Sequence, residues 1–229
     1  MDKLSTERPS IFTGGKMLDI YLIRHAQSMT NILNDGLIRG PEKHTDLTIK
    51  GYQQAMGLGL WFQKENIHFN RIYTSDAFRA EITGIIIGKF INYPPEELVS
   101  SERLSEVNMG ELIGQNPKTV YDSACAQQDI WKFIPKGGES YEQAAERIYK
   151  FIYENEISKK NHDNRRIAIV THADAIRCIL TKVTGAYKNK LNDNFANNHV
   201  SIGNASITEI VYDHNKWQIL KINDHRHNN

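Results

Sequence analysis

The sequence predicts an α/β fold: a three-layer α/β/α sandwich around a mostly parallel central sheet. Short apolar runs of strand length alternate with longer segments of helical period along most of the chain. The 229 residues suit one large domain and can bury a substantial core. Neither an internal repeat nor a linker of loop-forming composition divides them.

Residues 1–16 are polar and without period, so they read as a flexible tail. A single domain then spans 17–223, and 224–229 form a polar C-terminal tail. Leu18–Ile23 is a compact apolar run, expected as a buried strand. Leu47–Phe62 carries Ala55, Leu58, Trp61 and Phe62 at helical spacing. Arg71–Thr74 is a short strand. Ser75 follows as the expected N-cap of a helix with Asp76 in its first turn and Ile82, Ile85, Ile86 and Phe90 as its apolar stripe. Pro94 and Pro95 close that region. Ser105 to Gly138 is an irregular excursion with helical pieces around Val120 to Phe133. Ser140 and Gln143 make a capping box, so a helix is expected from Tyr141 to about Ile157. After a charged loop, Ile167–Thr171 is a second buried strand and Ala173–Val183 a helix. Ser206–Tyr212 and Trp217–Ile222 form a closing hairpin, with Asp213-His214-Asn215 as its turn.

Composition narrows the function classes. Hydrophobic residues make up 40%, an ordinary globular share. Lys plus Arg is 28 against 27 for Asp plus Glu, a formal charge of +1. That balance gives no reason to expect nucleic acid or an anionic membrane as partner. No run approaches membrane-spanning length and no signal peptide is visible, so a cytoplasmic location is the expectation. The two cysteines, Cys125 and Cys178, read as buried free thiols. Nine histidines include no His-Glu-x-x-His pattern, and His225 and His227 are expected as solvated side chains of the terminal tail. Gly-x-Ser-x-Gly is absent, and Gly84 to Lys89 is one residue too short for a phosphate-binding nucleotide loop.

Ligands in open α/β sheets bind beyond the carboxyl ends of the strands. Strand one ends in Arg24-His25, strand two opens a helix carrying Arg79, and the later strand ends in Thr171-His172. Two histidines and two arginines thus converge on one sheet edge. Phosphoryl transfer wants that set: a neutral imidazole is a good nucleophile, and arginine forks supply fixed charge to the equatorial oxygens. Each residue alone has a blander reading, a packed histidine or a surface ion pair. Their recurrence at successive strand ends favours chemistry.

Leu22-Ile-Arg-His-Ala-Gln-Ser-Met-Thr-Asn31 resembles the opening motif of the histidine phosphatase superfamily, also called the phosphoglycerate mutase-like family. Asp46-Leu-Thr48 with Gly51 to Ala55, Tyr73 to Thr83, Leu104-Ser-Glu106 with Gly110 and Gly114, Gly137 to Ser140, and Val170 to Arg177 resemble its later blocks, in its order. The closing Ile222-Asn-Asp resembles the ending of many bacterial members. The resemblance implies a phosphoglycerate mutase-like fold and catalysis through a phosphohistidine. It makes His25 the nucleophile and Glu106 the proton donor. It places Arg24, Asn31, Arg79 and His172 around the phosphoryl group, with His172 expected to be protonated beside the anion. Glu106 should titrate above a free glutamate, since it must first give a proton and then activate water.

The expected function is hydrolysis of small-molecule phosphate monoesters, with no cofactor and no metal ligands. The alternatives are a 2,3-bisphosphoglycerate-dependent phosphoglycerate mutase and a catalytically inactive regulatory relative. The paired arginines usual in mutases before Gly137 are missing, where Lys118, Lys132 and Lys136 stand instead. Ala26 and Ala173 replace the glycines that usually follow the two histidines. Each would strain its loop only if its φ were positive. The partner is a small phosphate ester; the oligomeric state, a homo-oligomer included, is left open.

Overall fold

The computed structural model describes residues 17–33, 35–118, 120, 129–159, 164–185 and 200–228. Ten regular elements carry the architecture: β1 Leu18–Arg24, α1 Ile49–Lys64, β2 Arg71–Ser75, α2 Phe78–Phe90, β3 Val99–Ser101, α3 Tyr141–Ile152, β4 Arg165–Thr171, α4 Ala173–Thr184, β5 Ile207–Asp213 and β6 Lys216–Asp224. They build one six-stranded sheet in the order β3-β2-β4-β1-β5-β6. The four strands from β3 to β1 run parallel, and β5 and β6 are antiparallel additions.

Alternation along the strands sorts the core into two layers. Tyr21, Ile23, Ile72, Ala168 and Val170 lie with Leu58, Phe62, Ala80 and Ile87 of α1 and α2. Ile20, Leu22, Tyr73, Ile167 and Ile169 lie with Ile148, Ile152, Ile176 and Ile179 of α3 and α4. The expected three-layer α/β/α sandwich is therefore present. A third cluster joins Val107, Met109, Leu112 and Trp131 of the 105–138 excursion to Tyr141, Ala145 and the free, buried Cys178. Gly110 makes this cover possible. Its φ is +50°, and a Cβ there would stand 2.2 Å from the Lys136 carbonyl oxygen.

Several boundaries differ from the sequence expectation. Thr48, not Leu47, opens α1, its hydroxyl accepting the Gly51 N–H at 3.0 Å. Ser75 is the last residue of β2 rather than a helix cap; α2 begins at Phe78, and Ser75 Oγ accepts the Ala77 N–H at 3.2 Å. The capping box at Ser140 is present, but the α-helix ends at Ile152 and continues as a π-helical turn over Tyr153–Ile157. The short edge strand β3 was not expected. The hairpin turn is His214-Asn215, both at positive φ, the two-residue geometry that matches strand twist. Neither Ala26 nor Ala173 has positive φ, so the added methyls cause no backbone strain.

The C-terminal segment is also more ordered than a polar tail. A 3₁₀ turn covers Arg226–Asn228, the Arg226 guanidinium lies over the Trp61 ring, and the His227 side chain is buried rather than solvated. The expected tail at 1–16, Cys125 and most of the expected helix from Val120 lie outside the described residues.

Candidate active site

Register brings the two sequence-distant histidines together. In the parallel pair β1·β4, Arg24 stands opposite Thr171, so the next residues, His25 and His172, leave the sheet side by side. The His25 N–H bonds the Thr171 carbonyl at 2.8 Å, and the two imidazole centroids are 5.1 Å apart. Both side chains are buried. Arg79, on the first turn of α2, reaches between them: its Nε donates to His25 Nε2 at 3.3 Å and its Nη2 to His172 Nδ1 at 3.2 Å. Its Nη1 donates to the Glu42 carbonyl.

Because a guanidinium only donates, these contacts assign the imidazole protons. His25 keeps its proton on Nδ1, donated to the Ala26 carbonyl at 2.8 Å, and presents an unprotonated Nε2. His172 accepts at Nδ1 and donates Nε2–H to Ser75 Oγ at 2.8 Å. Burial holds both imidazoles well below the usual histidine pKa, and the neighbouring Arg24 and Arg79 charges push the same way. His172 is therefore neutral in the unliganded site. The expected imidazolium belongs to the site with an anion bound; without one, desolvation and two guanidinium groups oppose the proton.

Arg24 anchors through Nη1 to the Ile202 carbonyl at 2.6 Å, while its buried Nε has no partner among the described residues. An unsatisfied cationic donor beside two neutral imidazoles suits an incoming anion. Asn31 uses its Oδ1 inward, accepting from the Ser28 N–H at 3.0 Å and from Asn204 Nδ2 at 3.0 Å, which leaves its NH2 end as the outward group.

Glu106 faces this cluster from the start of the 105–138 excursion. One oxygen accepts the N–H groups of Val107 and Ala175, each at 3.0 Å, and the other that of Asp174 at 3.4 Å. Burial, followed by the Asp174 charge, pushes its pKa up to about 7. Such a carboxyl can both give and take a proton near neutrality. Its loop is fastened by Arg147, whose Nη2 binds the Ser105 carbonyl at 3.2 Å and Glu139 at 2.7 Å.

All six residues singled out from the sequence, Arg24, His25, Asn31, Arg79, Glu106 and His172, thus sit around the ends of β1, β2 and β4. Sequence reasoning missed Ser75 as the partner of His172, Asn204 as the clamp on the His25 carbonyl at 3.1 Å, and the pair Asp174–Arg177. Asn204 precedes β5, and its one visible signal was position at the end of a strand next to β1. Among the described residues, no three His, Cys, Asp or Glu side chains gather as a metal-ion site.

A guanidinium bridging two buried imidazoles, opposite an acid raised toward neutrality, defines a phosphoryl-transfer site on a doubly covered α/β sheet. The comparisons with known proteins agree. A profile of the histidine phosphatase superfamily (branch 1) matches residues 20–225, and the chain belongs to that family. It is 30% identical over 179 residues to a metal-independent phosphoserine phosphatase of Arabidopsis thaliana, covering 75% of this chain and 71% of the relative. It is 29% identical over 171 residues to a 2,3-bisphosphoglycerate-dependent phosphoglycerate mutase of Bartonella tribocorum, covering 72% and 81%. A mycobacterial glucosyl-3-phosphoglycerate phosphatase shares the fold at a TM-score of 0.72 and 21% identity, over 91% of this chain and all of that one, 100%.

Proposed function

We propose that the protein is a phosphoric monoester hydrolase acting on small phosphorylated molecules, with a covalent intermediate on His25. The carrying observation is the proton assignment: His25 Nε2 is an unprotonated nitrogen directed at the group that would hold phosphate, the Arg79 guanidinium. In the first step the Nε2 lone pair forms a bond to phosphorus as the ester P–O bond breaks, and Glu106 delivers its proton to the leaving oxygen. In the second, the Glu106 carboxylate takes a proton from water, the oxygen attacks phosphorus, and the N–P bond breaks to release phosphate. Arg24 and Arg79 stabilise charge on the equatorial oxygens, with the NH2 group of Asn31 as a neutral donor. His172 donates once the phosphoryl dianion raises its proton affinity. The chain's own cations supply the charge, so the reading is metal-independent. Among the described residues, no helix is long and apolar enough to cross a membrane.

Hydrolysis of an aryl phosphate in the presence of a chelator tests the proposal. His25→Ala should abolish turnover, and rapid quenching of the wild type should trap one phosphoryl group on His25. Undiminished hydrolysis by His25→Ala refutes it. The likeness to the mutase favours phosphoryl transfer to a second substrate as the other reading; activation by 2,3-bisphosphoglycerate with 3-phosphoglycerate as substrate would select it.

A further inference from the structure

The turn before β5 holds the end of β1 from behind. Arg24 Nη1 donates to the Ile202 carbonyl at 2.6 Å. The Ala205 N–H lies 3.1 Å from the Arg24 carbonyl and 3.3 Å from that of His25. Asn204 stands between these anchors, and its NH2 group gives both hydrogens to the site. One goes to the His25 carbonyl at 3.1 Å and the other to Asn31 Oδ1 at 3.0 Å. A single side chain therefore spans the backbone of the nucleophile and the neutral donor.

Two observations give this span a direction. The first is that the turn is fixed without help from Asn31. Its Gly203 N–H donates at 2.6 Å to Oδ1 of Asn223, in the Ile222-Asn-Asp segment at the end of β6. Buried Ala205 is held at φ +58°, left-handed backbone that a non-glycine residue keeps only where its surroundings impose it. The second is that the Asn31 segment has little packing of its own. Met29–Ile32 is one 3₁₀ turn with no buried residue, and Met29, Ile32 and Leu33 are exposed. It is tied to the body at its start, through the Ser28–Leu47 bridge and the Met29 N–H to the Asp46 carbonyl at 2.9 Å. Ser28 also gives its N–H and its hydroxyl to Asn31 Oδ1, each at 3.0 Å. Those local donors decide which end of the amide faces outward, but they belong to the same turn. Asn204 donates from outside it and ties its far end to the strand that carries His25.

We propose that Asn204 is a positioning residue that holds the outward NH2 of Asn31 at a fixed place relative to His25, where the two meet one phosphoryl group. The role given to Asn31 rests on the hydrolase reading; the binding test below needs no turnover.

The test is calorimetric titration of the full chain with orthovanadate, which takes the five-coordinate shape of a transferring phosphoryl group. Asn204→Ala should raise the vanadate Kd about tenfold, the size of one net hydrogen bond, and Asn31→Ala should do the same. The double variant should stay within about twofold of the weaker single, because without Asn31 the tie has nothing to aim and Ala205 still holds the His25 carbonyl. Independent effects would multiply instead, to about a hundredfold. A merely structural role lowers the number of binding sites and leaves their Kd unchanged. Should Asn204→Ala fold poorly, Asn204→Asp keeps the side-chain size but sets an acceptor against two acceptors, and it should weaken vanadate at least as much. A wild-type Kd in either variant, or the hundredfold product in the double, overturns the proposal. On an aryl phosphate, kcat/KM should fall in step with the rise in Kd. A wild type that binds vanadate but turns over no phosphate ester would sink the hydrolase reading and leave the binding cycle to decide the role of Asn204. A wild type that binds no vanadate overturns both.

Discussion

Arg79→Lys isolates what the guanidinium does beyond its charge. Three donors are fixed at once: Nε to His25 at 3.3 Å, Nη2 to His172 at 3.2 Å, and Nη1 to the Glu42 carbonyl. An ammonium is a point charge on a flexible stem and can occupy one of these positions, not the fork. Loss of a single preorganised donor at a developing oxyanion costs roughly 10²–10³ in rate, about 2.7–4 kcal/mol. Arg79→Lys should therefore lose at least about a hundredfold in kcat/KM on an aryl phosphate. Stability should move little. The lost bond to Glu42 is worth about 1 kcal/mol, and the lysine keeps the buried positive charge. At about 2–4 °C per kcal/mol for a chain of this size, Tm should stay within a few degrees. Steady-state kinetics and a thermal melt read both quantities. A variant within tenfold of wild type would refute the fork as the phosphate clamp. A large fall in Tm would instead assign Arg79 to the scaffold.

The pH dependence of stability should have opposite limbs. Glu106 has a raised pKa, so the folded state binds its proton more tightly than the unfolded chain, and its contribution declines as pH rises from about 4.5 to about 7; Glu106→Gln should melt higher than wild type at pH 8 and equally at pH 4. His25 and His172 are depressed, so the unfolded chain takes up protons first; in the Glu106→Gln background, where the opposing carboxyl limb is gone, Tm should fall as pH drops below about 6.5, and a flat Tm between pH 7 and 5 in that variant would contradict their burial as neutral rings. Tyr73→Phe removes the hydroxyl that donates to the fully buried Glu156, whose other charge partner is Arg165 at 2.9 Å. That should cost about 1.5–3 kcal/mol in urea unfolding with little change in kcat/KM. Gly51→Ala would place a Cβ 2.0 Å from the Gln27 carbonyl, two residues beyond His25, so it should lower both Tm and activity; wild-type values for both would show that the loop yields without cost.

Local sequence determined much of this protein. Apolar runs located β1, β2 and β4, the Ser140 box located the start of α3, and strand ends carrying His25 and His172 pointed to the candidate site, because each signal lies within a few neighbouring residues. The edge strand β3 was illegible: Val-Ser-Ser is short, mostly exposed and, among the described residues, paired only with β2. Ser75 had the look of a helix cap, and only its meeting with His172, 97 positions away, revealed its part in the site. The same holds for Asn204, which reaches back 179 positions to the His25 carbonyl. Protonation was the quantity most completely decided by tertiary structure. Whether His172 is neutral and Glu106 protonated depends on desolvation and on charges from β1, α2 and α4 brought together by the fold. A sequence names titratable groups, but their proton affinities follow from distances and burial that exist only once the chain has packed.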